Sequence, residues 1–346
     1  MSRAAASAPP VSLSPLDREI INRWQGGFPI APSPFARAAE AMASDEATLL
    51  LRLGRLLETG ALSRFGPLYN AERMGGAVSL AAMKLPPERL ESLAEQVNAF
   101  PEVAHNYARE HPFNLWFVLA VDHPPRLAAV AAEIARQTGF PVHLMPKERE
   151  FRLGFGVRVS GEGEGIPETS FHPMPDLAPV PPEGELALDE LDRRLIAATQ
   201  EGLPLTPEPY RTIGEGIGTA EAEVMARLNR MVDSGAIRRL GVIPNHVRLG
   251  LSVNGMSVWD APDEAAADCG QALAELPFVS HCYQRPRHLP EWPFNLFAML
   301  HGTSREAVEI QAARLAERLG GRCRGYRILY TTRLLKKTGL RTAFHG

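Results

Sequence analysis

The sequence has few cysteines and no long hydrophobic segment. Its 346 residues include three cysteines, Cys269, Cys282 and Cys323, which lack the CxxC or Cys/His spacing of a zinc site. This excludes a disulfide framework and a zinc finger, and we expect reduced thiols. No run of about 18 apolar residues occurs, and residues 1–15 contain no signal-peptide core. We therefore expect a cytoplasmic protein with no membrane partner.

The sequence also lacks a strong net charge and the common catalytic motifs. A net charge of −3 provides no global positive field that would attract nucleic acid, so any anion-binding site must be local. We find no P-loop, no GxSxG, no GxGxxG at a strand–helix turn and no run of metal ligands. The stretch Leu153-Gly154-Phe155-Gly156 predicts a bend in a strand rather than a phosphate-binding loop. Motif searches therefore leave the function open.

An internal repeat is the most informative feature of the sequence. Three short motifs recur 175 residues apart: LDR at 16–18 and 191–193, Gly-Ala at 60–61 and 235–236, and Arg-x-Gly at 64–66 and 239–241. HNYAR at 105–109 returns as HCYQR at 281–285, and Asn-Leu at 114–115 returns at 295–296. The spacing between these last two motifs is five residues longer in the second copy. The chain is therefore two diverged copies of one unit.

Each copy predicts three short helices followed by alternating strands and a further pair of helices. Apolar spacing places a helix-turn-helix in copy one, with Ser33 and Ser44 as helix N-caps. The β-α-β-β-α-β order that follows is the ferredoxin-like motif, so the fold class is α+β. We divide the chain into a disordered segment (1–15), a first helix-turn-helix (16–62), a first ferredoxin-like domain (63–159), a Pro- and Gly-rich linker (160–188), a second helix-turn-helix (189–238) and a second ferredoxin-like domain (239–346). The linker is long enough for the two units to form a pseudo-dimer within the chain.

A helix-turn-helix raises the alternative of DNA binding. The helix that would read the major groove opens with Ser44-Asp45-Glu46 in copy one and with residues 219–223, TAEAE, in copy two. Carboxylates there suit the helix dipole but repel a phosphate backbone. We interpret the arginines farther along these helices as solvated surface residues: Arg52, Arg55, Arg227 and Arg230. We therefore expect no nucleic-acid partner.

An alternation of polar and aromatic residues along a predicted strand indicates a binding site. His105, Tyr107 and Arg109 alternate along a strand, so their side chains share one face, and Asn114 and Trp116 are expected on the same face of the next strand. Each residue alone has an ordinary structural explanation. However, copy two repeats the trio as His281, Tyr283 and Arg285, and this recurrence favours a site. The inserted loop, residues 286–293, adds Arg287, His288 and Trp292, so we expect the principal site in copy two.

The strings HNYAREHPFNLWFVLAVD at 105–122 and HCYQRPRHLPEWPFNLFAMLHG at 281–302 closely resemble the two subunit types of the siroheme decarboxylases, enzymes of Lrp/AsnC-like fold. The resemblance covers nearly all of the chain apart from the linker and tail. It implies a carboxy-lyase that removes CO2 from the C12 and C18 acetates of siroheme, giving 12,18-didecarboxysiroheme on the route to heme d1. The macrocycle would act as electron sink, so no separate cofactor is expected, and the iron arrives with the substrate.

The resemblance also implies roles for the residues. A histidine, His281 or His288, would donate the proton that replaces CO2, and Arg285, His105 and Arg109 complete the expected catalytic set. A histidine could also be an axial ligand of the substrate iron, while the protein alone forms no metal site. Guanidinium groups would hold carboxylates and aromatic rings would face the macrocycle. The expected substrate-binding residues are Tyr107, His111, Asn114, Trp116, Lys147, Arg149, Arg152, Tyr283, Arg287, Trp292 and Asn295.

Two other classes of function remain open at this point. A haem- or amino-acid-responsive regulator of the Lrp/AsnC type would shift DNA in a salt-dependent manner. A tetrapyrrole carrier would bind siroheme without changing its mass. The expected partners are siroheme and its decarboxylated products, with other tetrapyrrole-pathway enzymes and a second copy of the chain as further candidates.

Overall fold

The computed structural model of the chain describes residues 11–174, 184 and 186–337. Residues 1–10 of the expected disordered segment lie outside this range. Val11 and Leu13 differ from the expectation because both are buried, and the Leu13 backbone pairs with Gly165 at 2.8 Å. Both side chains belong to the core cluster that also contains residues of the first helix-turn-helix.

The two halves contain the same order of helices and strands, except that the first half ends in two strands where the second ends in one, and an extra pair of strands lies between the halves. The first half contains α1 (Pro15–Trp24), α2 (Pro34–Glu40), α3 (Glu46–Glu58), β1 (Leu62–Tyr69), β2 (Ala77–Met83), α4 (Leu90–Asn98), β3 (Val103–Arg109), β4 (Leu115–Val121), α5 (Arg126–Thr138), β5 (His143–Pro146) and β6 (Arg149–Leu153). β7 (Gly156–Ser160) and β8 (Glu168–His172) follow. The second half contains α6 (Glu190–Thr199), α7 (Pro209–Ile217), α8 (Glu221–Asp233), β9 (Ile237–Pro244), β10 (Val253–Trp259), α9 (Ala266–Ala274), β11 (His281–Gln284), β12 (Leu296–Gly302), α10 (Arg305–Leu319) and β13 (Tyr326–Lys337).

The helix-turn-helix units are closed by ion pairs that the sequence interpretation missed. Arg52 on α3 contacts Asp17 on α1 at 2.5 Å, and its side chain is 17% exposed. The corresponding Arg227 on α8 contacts Asp192 on α6 at 2.7 Å and is equally buried. These two arginines are therefore paired and mostly buried, not solvated, whereas Arg55 is exposed. The recurrence of the LDR motif is explained by its aspartate, which holds the first and third helices together.

The N-caps in copy one also differ from the expectation. α3 is capped by Asp45, whose carboxylate accepts a hydrogen bond from the Thr48 backbone at 2.8 Å, and not by Ser44. Ser33 stands at the N-cap of α2, but its side chain makes no capping hydrogen bond. In both cases proline or carboxylate chemistry at the neighbouring position determines where the helix begins.

The ferredoxin-like units share one antiparallel sheet. Within the described residues it has nine strands in the order β5-β2-β4-β3-β13-β10-β12-β11-β6. The first part of β13 pairs with β10 of its own unit and the second part pairs with β3 of the other. In copy one these two pairings are made by separate strands: β5 pairs with β2 of its own unit, and β6 pairs with β11 of the other unit. The last strand of each unit thus pairs with a strand of the other unit, and this exchange forms the pseudo-dimer.

Helices cover one face of the sheet, and an aromatic cluster fills the other. Leu115, Phe117 and Leu119 of β4 pack with residues of α4 and α5, as their alternation predicts. On the opposite face, Trp116 and Trp292 lie together with residues of both units. The helix-turn-helix units join through a separate antiparallel pair, β1 with β9. The cluster between the copies is therefore a shared core.

Part of the expected linker is a hairpin that packs on α1. β7 pairs with β8, and the Gln25 side-chain amide makes hydrogen bonds of 2.6 and 2.8 Å with the Val157 backbone. The predicted bend at Gly154-Phe155 lies between β6 and β7. Residues 175–183 and 185 of the linker lie outside the described residues. Phe155, which directly precedes this hairpin, contacts histidine rings of the second copy.

The cysteines of the described chain are free thiols. Cys269 and Cys282 are buried and Cys323 is partly buried. Across residues 11–174, 184 and 186–337, no three His, Cys, Asp or Glu side chains are grouped to hold a metal ion. Over the same residues, no helix combines the length and apolar character needed to cross a membrane.

Candidate functional site

In copy two, His281 and Tyr283 of the trio lie on β11, and Arg285 directly follows this strand. The His281 and Tyr283 ring centroids are 6.2 Å apart, and the Arg285 guanidinium lies 4.8 Å from the Tyr283 ring centroid. Arg285 Nη1 donates to the Met145 carbonyl at 2.6 Å, which ties β11 to copy one. Burial lowers the pKa of Arg285 to about 10 and raises the pKa of Tyr283. At neutral pH the face carries a cation beside a neutral phenol.

Copy one builds the same trio on β3. The His105 and Tyr107 ring centroids are 6.3 Å apart, and the Arg109 guanidinium lies 5.6 Å from the Tyr107 centroid. Arg109 Nη1 donates to the Leu329 carbonyl of the other unit at 2.8 Å. Burial lowers the pKa of Arg109 to about 10. The recurrence in sequence is therefore a recurrence of geometry, including an arginine that bonds across the pseudo-dimer.

Copy two adds polar groups behind its histidine. Ser280 Oγ lies 2.7 Å from His281 Nδ1 and 2.7 Å from His301 Nε2. His301 Nδ1 lies 2.7 Å from the side-chain oxygen of Asn254. Burial, followed by the nearby charges of Arg239 and Arg238, lowers the pKa of His281 to about 3. Burial holds the pKa of His301 well below its ordinary value as well, so both histidines are neutral at pH 7.

A cleft lies beside these histidines. It is lined by residues of four segments, including Gln25, Leu68, Phe155, Arg239 and Val242. The Phe155 ring centroid is 4.6 Å from that of His301, 4.9 Å from that of His246 and 6.5 Å from that of His281. The Phe155 ring and Arg239 thus line the cleft, and three imidazole rings lie against Phe155. This is a combination suited to a flat anionic ligand.

Several of these residues were not singled out from the sequence. Arg239 had a signal, because it lies in the repeated Arg-x-Gly motif with Arg64 as its counterpart. Recurrence gave no signal for four other residues, because copy one has different residues at the corresponding positions: His246, His301, Ser280 and Asn254. Their only mark in the sequence is that polar residues stand where the other copy is apolar.

The inserted loop of copy two is held by Arg287, which was expected to bind substrate. Its guanidinium contacts Asp260 at 2.7 Å and Asp263 at 3.1 Å, and it also donates to the Ala261 and Pro293 carbonyls. The side chain is 15% exposed. Arg287 therefore fixes the loop to the end of β10 and has no donor directed at the cleft.

His288 of the same loop points toward copy one. Its Nε2 donates to the Leu144 carbonyl at 2.8 Å, and its ring lies 5.1 Å from that of His143. Among the described contacts, none is common to His288 and His281. The structure thus separates the two histidines that the sequence interpretation grouped as alternative proton donors.

The two recurring asparagines expected to bind substrate are backbone clamps. Asn114 accepts from the Leu85 N–H at 3.0 Å and donates to the Leu85 carbonyl at 2.8 Å. Asn295 makes the same pair of bonds to Ala261, each at 3.0 Å. Each clamp ties the start of one strand to the loop that leaves its neighbour. Their recurrence reflects the fold.

The tryptophans expected to face the macrocycle are in the shared core. Trp116 and Trp292 are each 0% exposed, with ring centroids 5.1 Å apart. Trp116 does lie on the predicted face, opposite Tyr107 in the strand register. His111 packs against Trp292 at 5.5 Å, and burial lowers its pKa. Trp116 and Trp292 are therefore enclosed by protein contacts in the shared core.

The three basic residues after β5 have different surroundings. Lys147 pairs with Glu72 at 2.6 Å and Glu150 at 2.9 Å. Arg152 donates to the Ala274 and Leu276 carbonyls, so it joins β6 to the end of α9. Arg149 is exposed over the Phe151 ring. Of the three, Arg149 alone is not tied to a carboxylate or a carbonyl among the described contacts.

Comparison with family models defines the class of protein. The model described as an AsnC-like ligand binding domain matches residues 73–152 and 248–336. The model described as a siroheme decarboxylase NirDL-like HTH domain matches residues 17–62 and 192–238. The chain is therefore a tandem of two Lrp/AsnC-type units, each a helix-turn-helix with an α+β ligand-binding domain, as the repeat predicts.

Individual relatives narrow the class to a family. The chain is 34% identical over 332 residues to the siroheme decarboxylase NirDL subunit of Paracoccus denitrificans (strain Pd 1222), covering 95% of this chain and 98% of the relative. It is 53% identical over 155 residues to the NirH subunit of the enzyme of Paracoccus pantotrophus, covering 45% of this chain and 96% of that subunit. A crystal structure of NirDL with an iron-uroporphyrin III analogue superposes with a TM-score of 0.70 at 28% identity, covering 94% of each chain. The chain belongs to the siroheme decarboxylase family, and its activity is that of a carboxy-lyase in heme d1 biosynthesis.

Proposed function

We propose that the cleft beside His281 binds siroheme and that the chain removes CO2 from its C12 and C18 acetates, giving 12,18-didecarboxysiroheme. The observation that carries this proposal is that Phe155 and Arg239 line the cleft, while His281 lies against the Phe155 ring and within the electrostatic influence of Arg239 and Arg285. The analogue named in the related NirDL complex is an iron tetrapyrrole, which supports a ligand of this shape. Siroheme brings its own iron, and we propose no separate cofactor.

The charges around the cleft suit a polycarboxylate. Arg285 stays protonated at neutral pH even though burial lowers its pKa to about 10. A buried guanidinium attracts a carboxylate more strongly than one in water, because fewer solvent dipoles screen the pair. Arg239 and Arg238 lie close enough to lower the pKa of His281. Together they provide local positive charge in a chain whose net charge is −3.

The reaction requires one proton for each CO2 released. The bond between the carboxylate and the methylene carbon breaks, its electron pair passes to the methylene carbon and into the conjugated macrocycle, and a proton completes the methyl group. In the free protein His281 is neutral, because burial and the nearby arginines lower its pKa to about 3. Substrate carboxylates would offset those arginine charges and raise the histidine pKa. His281 would then take up a proton on Nε2 and deliver it to the methylene carbon.

Copy one has a supporting role in this proposal. His105, Tyr107 and Arg109 repeat the face of β11, and Arg109 bonds across the pseudo-dimer. We propose that they form walls or a second, degenerate site. Of the other residues expected to bind substrate, we retain Tyr283 and Arg149. The rest are occupied by the protein contacts described above.

The proposal also covers the location of the enzyme and its macromolecular partners. The free thiols of the described chain are consistent with the reducing cytoplasm, where we place the enzyme. Pairing of its two units within the chain makes a pseudo-dimer, and further self-association remains a prediction. The paired arginines of α3 and α8 leave fewer free cations for phosphate, which supports our expectation of no nucleic-acid partner.

Anaerobic incubation with siroheme, followed by mass analysis of the extracted tetrapyrrole, tests this function. We expect the parent chain to remove two CO2. His281→Ala should slow this removal by at least about 100-fold, as expected for loss of a general acid. His105→Ala is the matched control from the other copy and should retain most of the rate. Unaltered siroheme with the parent, or an equal loss in both variants, would contradict the proposal.

A further inference from the structure

We infer that Asn254, His301 and Ser280 form a positioning relay that fixes the ring and tautomer of His281, and that this relay makes copy two the reacting half. The catalytic role of the relay rests on the proposed function. The tautomer of His281 that the relay fixes does not depend on the reaction. None of the three relay residues is expected to contact the substrate.

The relay follows from the register of three strands. Asn254 on β10 stands directly opposite His301 on β12. Ser280 precedes β11, and its backbone N–H donates to the Met299 carbonyl of β12 at 3.2 Å. The side chains therefore line up across the sheet and end at His281. Each of the three side-chain contacts in this line is 2.7 Å long.

Donor and acceptor chemistry gives the relay a direction. The side-chain oxygen of Asn254 can only accept, so His301 Nδ1 must carry a proton and donate it. His301 is neutral, so its Nε2 is a lone pair that accepts from the Ser280 hydroxyl. The single hydroxyl proton is then used, and Ser280 Oγ must accept from His281 Nδ1. Nε2 of His281 is left for a substrate.

Burial makes this arrangement costly to break. Ser280 is 0% exposed and His301 is 6% exposed. Phe155 covers His301, and the ring of His246 stands 5.5 Å away. A buried polar group that loses its partner bears the full cost of desolvation, so the ring positions are strongly restrained. His281 thus presents one nitrogen in one orientation.

Copy one cannot build this relay. Its corresponding residues are Val78, Ala120 and Ala104 in place of Asn254, His301 and Ser280. Val78 stands opposite Ala120 in the same register that pairs Asn254 with His301. None of the three replacement side chains can form a hydrogen bond. Three coordinated differences between otherwise matching strands point to a function that only copy two performs.

The test uses the substitution that copy one itself contains. We expect Ser280→Ala to lower kcat for siroheme decarboxylation by about 10- to 100-fold, with KM little changed, because the relay orients the histidine without binding substrate. Ser280→Thr keeps the hydroxyl and should restore most of kcat. Asn254→Val, again the residue of copy one, should lower kcat in the same direction if folding is unaffected. Equal kcat in Ser280→Ala and Ser280→Thr would overturn the relay.

A second measurement separates this inference from the proposed function. Nitrogen-15 NMR of histidine-labelled protein without substrate should show His281 protonated on Nδ1 in the parent and not fixed there in Ser280→Ala. The same tautomer in both proteins would overturn the relay whatever the activity. If the parent leaves siroheme unaltered while the tautomer changes as expected, the proposed function fails and the relay stands.

Discussion

The low pKa of His281 makes a quantitative prediction about stability in mild acid. Burial, with nearby arginines, lowers this pKa from the ordinary 6.5 to about 3. Below pH 6.5 the unfolded chain binds a proton at this residue that the native protein does not bind until far lower pH. Acid therefore favours unfolding. The stabilisation is fully present above the unfolded pKa and is lost progressively as the pH falls toward 3.

The magnitude follows from the two pKa values. Between pH 7 and pH 5, linkage gives a loss of about 2 kcal/mol in the free energy of unfolding from His281 alone. His301 and His143, whose pKa values are also lowered by burial, add losses of the same sign. Carboxylates such as Glu133 and Asp189, with pKa values lowered to about 2, act mainly below this window.

Urea unfolding at pH 7 and at pH 5 isolates the His281 contribution. His281→Gln keeps a donor for Ser280 and removes the titrating group. Its free energy of unfolding should fall by about 2 kcal/mol less than that of the parent over this interval, with similar denaturant slopes. An identical fall in parent and variant would refute the claim that His281 is neutral in the free protein.

Two further predictions concern the loop and its clamp. Arg287→Ala should cost roughly 2–3 kcal/mol in urea unfolding, because Asp260 loses a mostly buried partner, whereas Arg324→Ala, an exposed partner of the same carboxylate, should cost below about 1 kcal/mol. Equal costs would refute this assignment. Asn295→Ala should cost roughly 2 kcal/mol, since the buried Ala261 backbone loses two hydrogen bonds, and a cost near zero would mean that the clamp is not needed.

Much of the fold could be predicted because the repeat shows both copies at once. The boundaries that differ have local or tertiary causes. Apolar spacing over residues 87–99 predicts one helix, but α4 begins at Leu90, after a short 3-10 turn that starts at the second of two consecutive prolines. The sequence predicts a final strand region over 141–158, but this region is divided into β5, β6 and β7 because its pairing partner changes along its length. No periodicity in one segment can reveal a change of partner.

The sequence predicted only part of the candidate site, because recurrence identifies only the residues that the two copies share. Recurrence identified His281, Tyr283 and Arg285 together with their counterparts, and it equally identified Asn114 and Asn295, which serve the fold. A recurring residue is required by something common to both copies, which is either packing or function. The relay was invisible to this criterion because its residues are those in which the copies differ. Sequence alone could not show that Ser280 and His301 meet across strands.

The proposed decarboxylation is tested most directly by following siroheme through the reaction in heavy water. After anaerobic incubation of the whole chain in D2O, the extracted tetrapyrrole should have lost two CO2 and gained one solvent deuterium in each new methyl group. This result is expected if His281 delivers an exchangeable proton to each methylene carbon. Siroheme recovered with both acetates intact, or methyl groups free of solvent deuterium, would contradict the proposed reaction at this site.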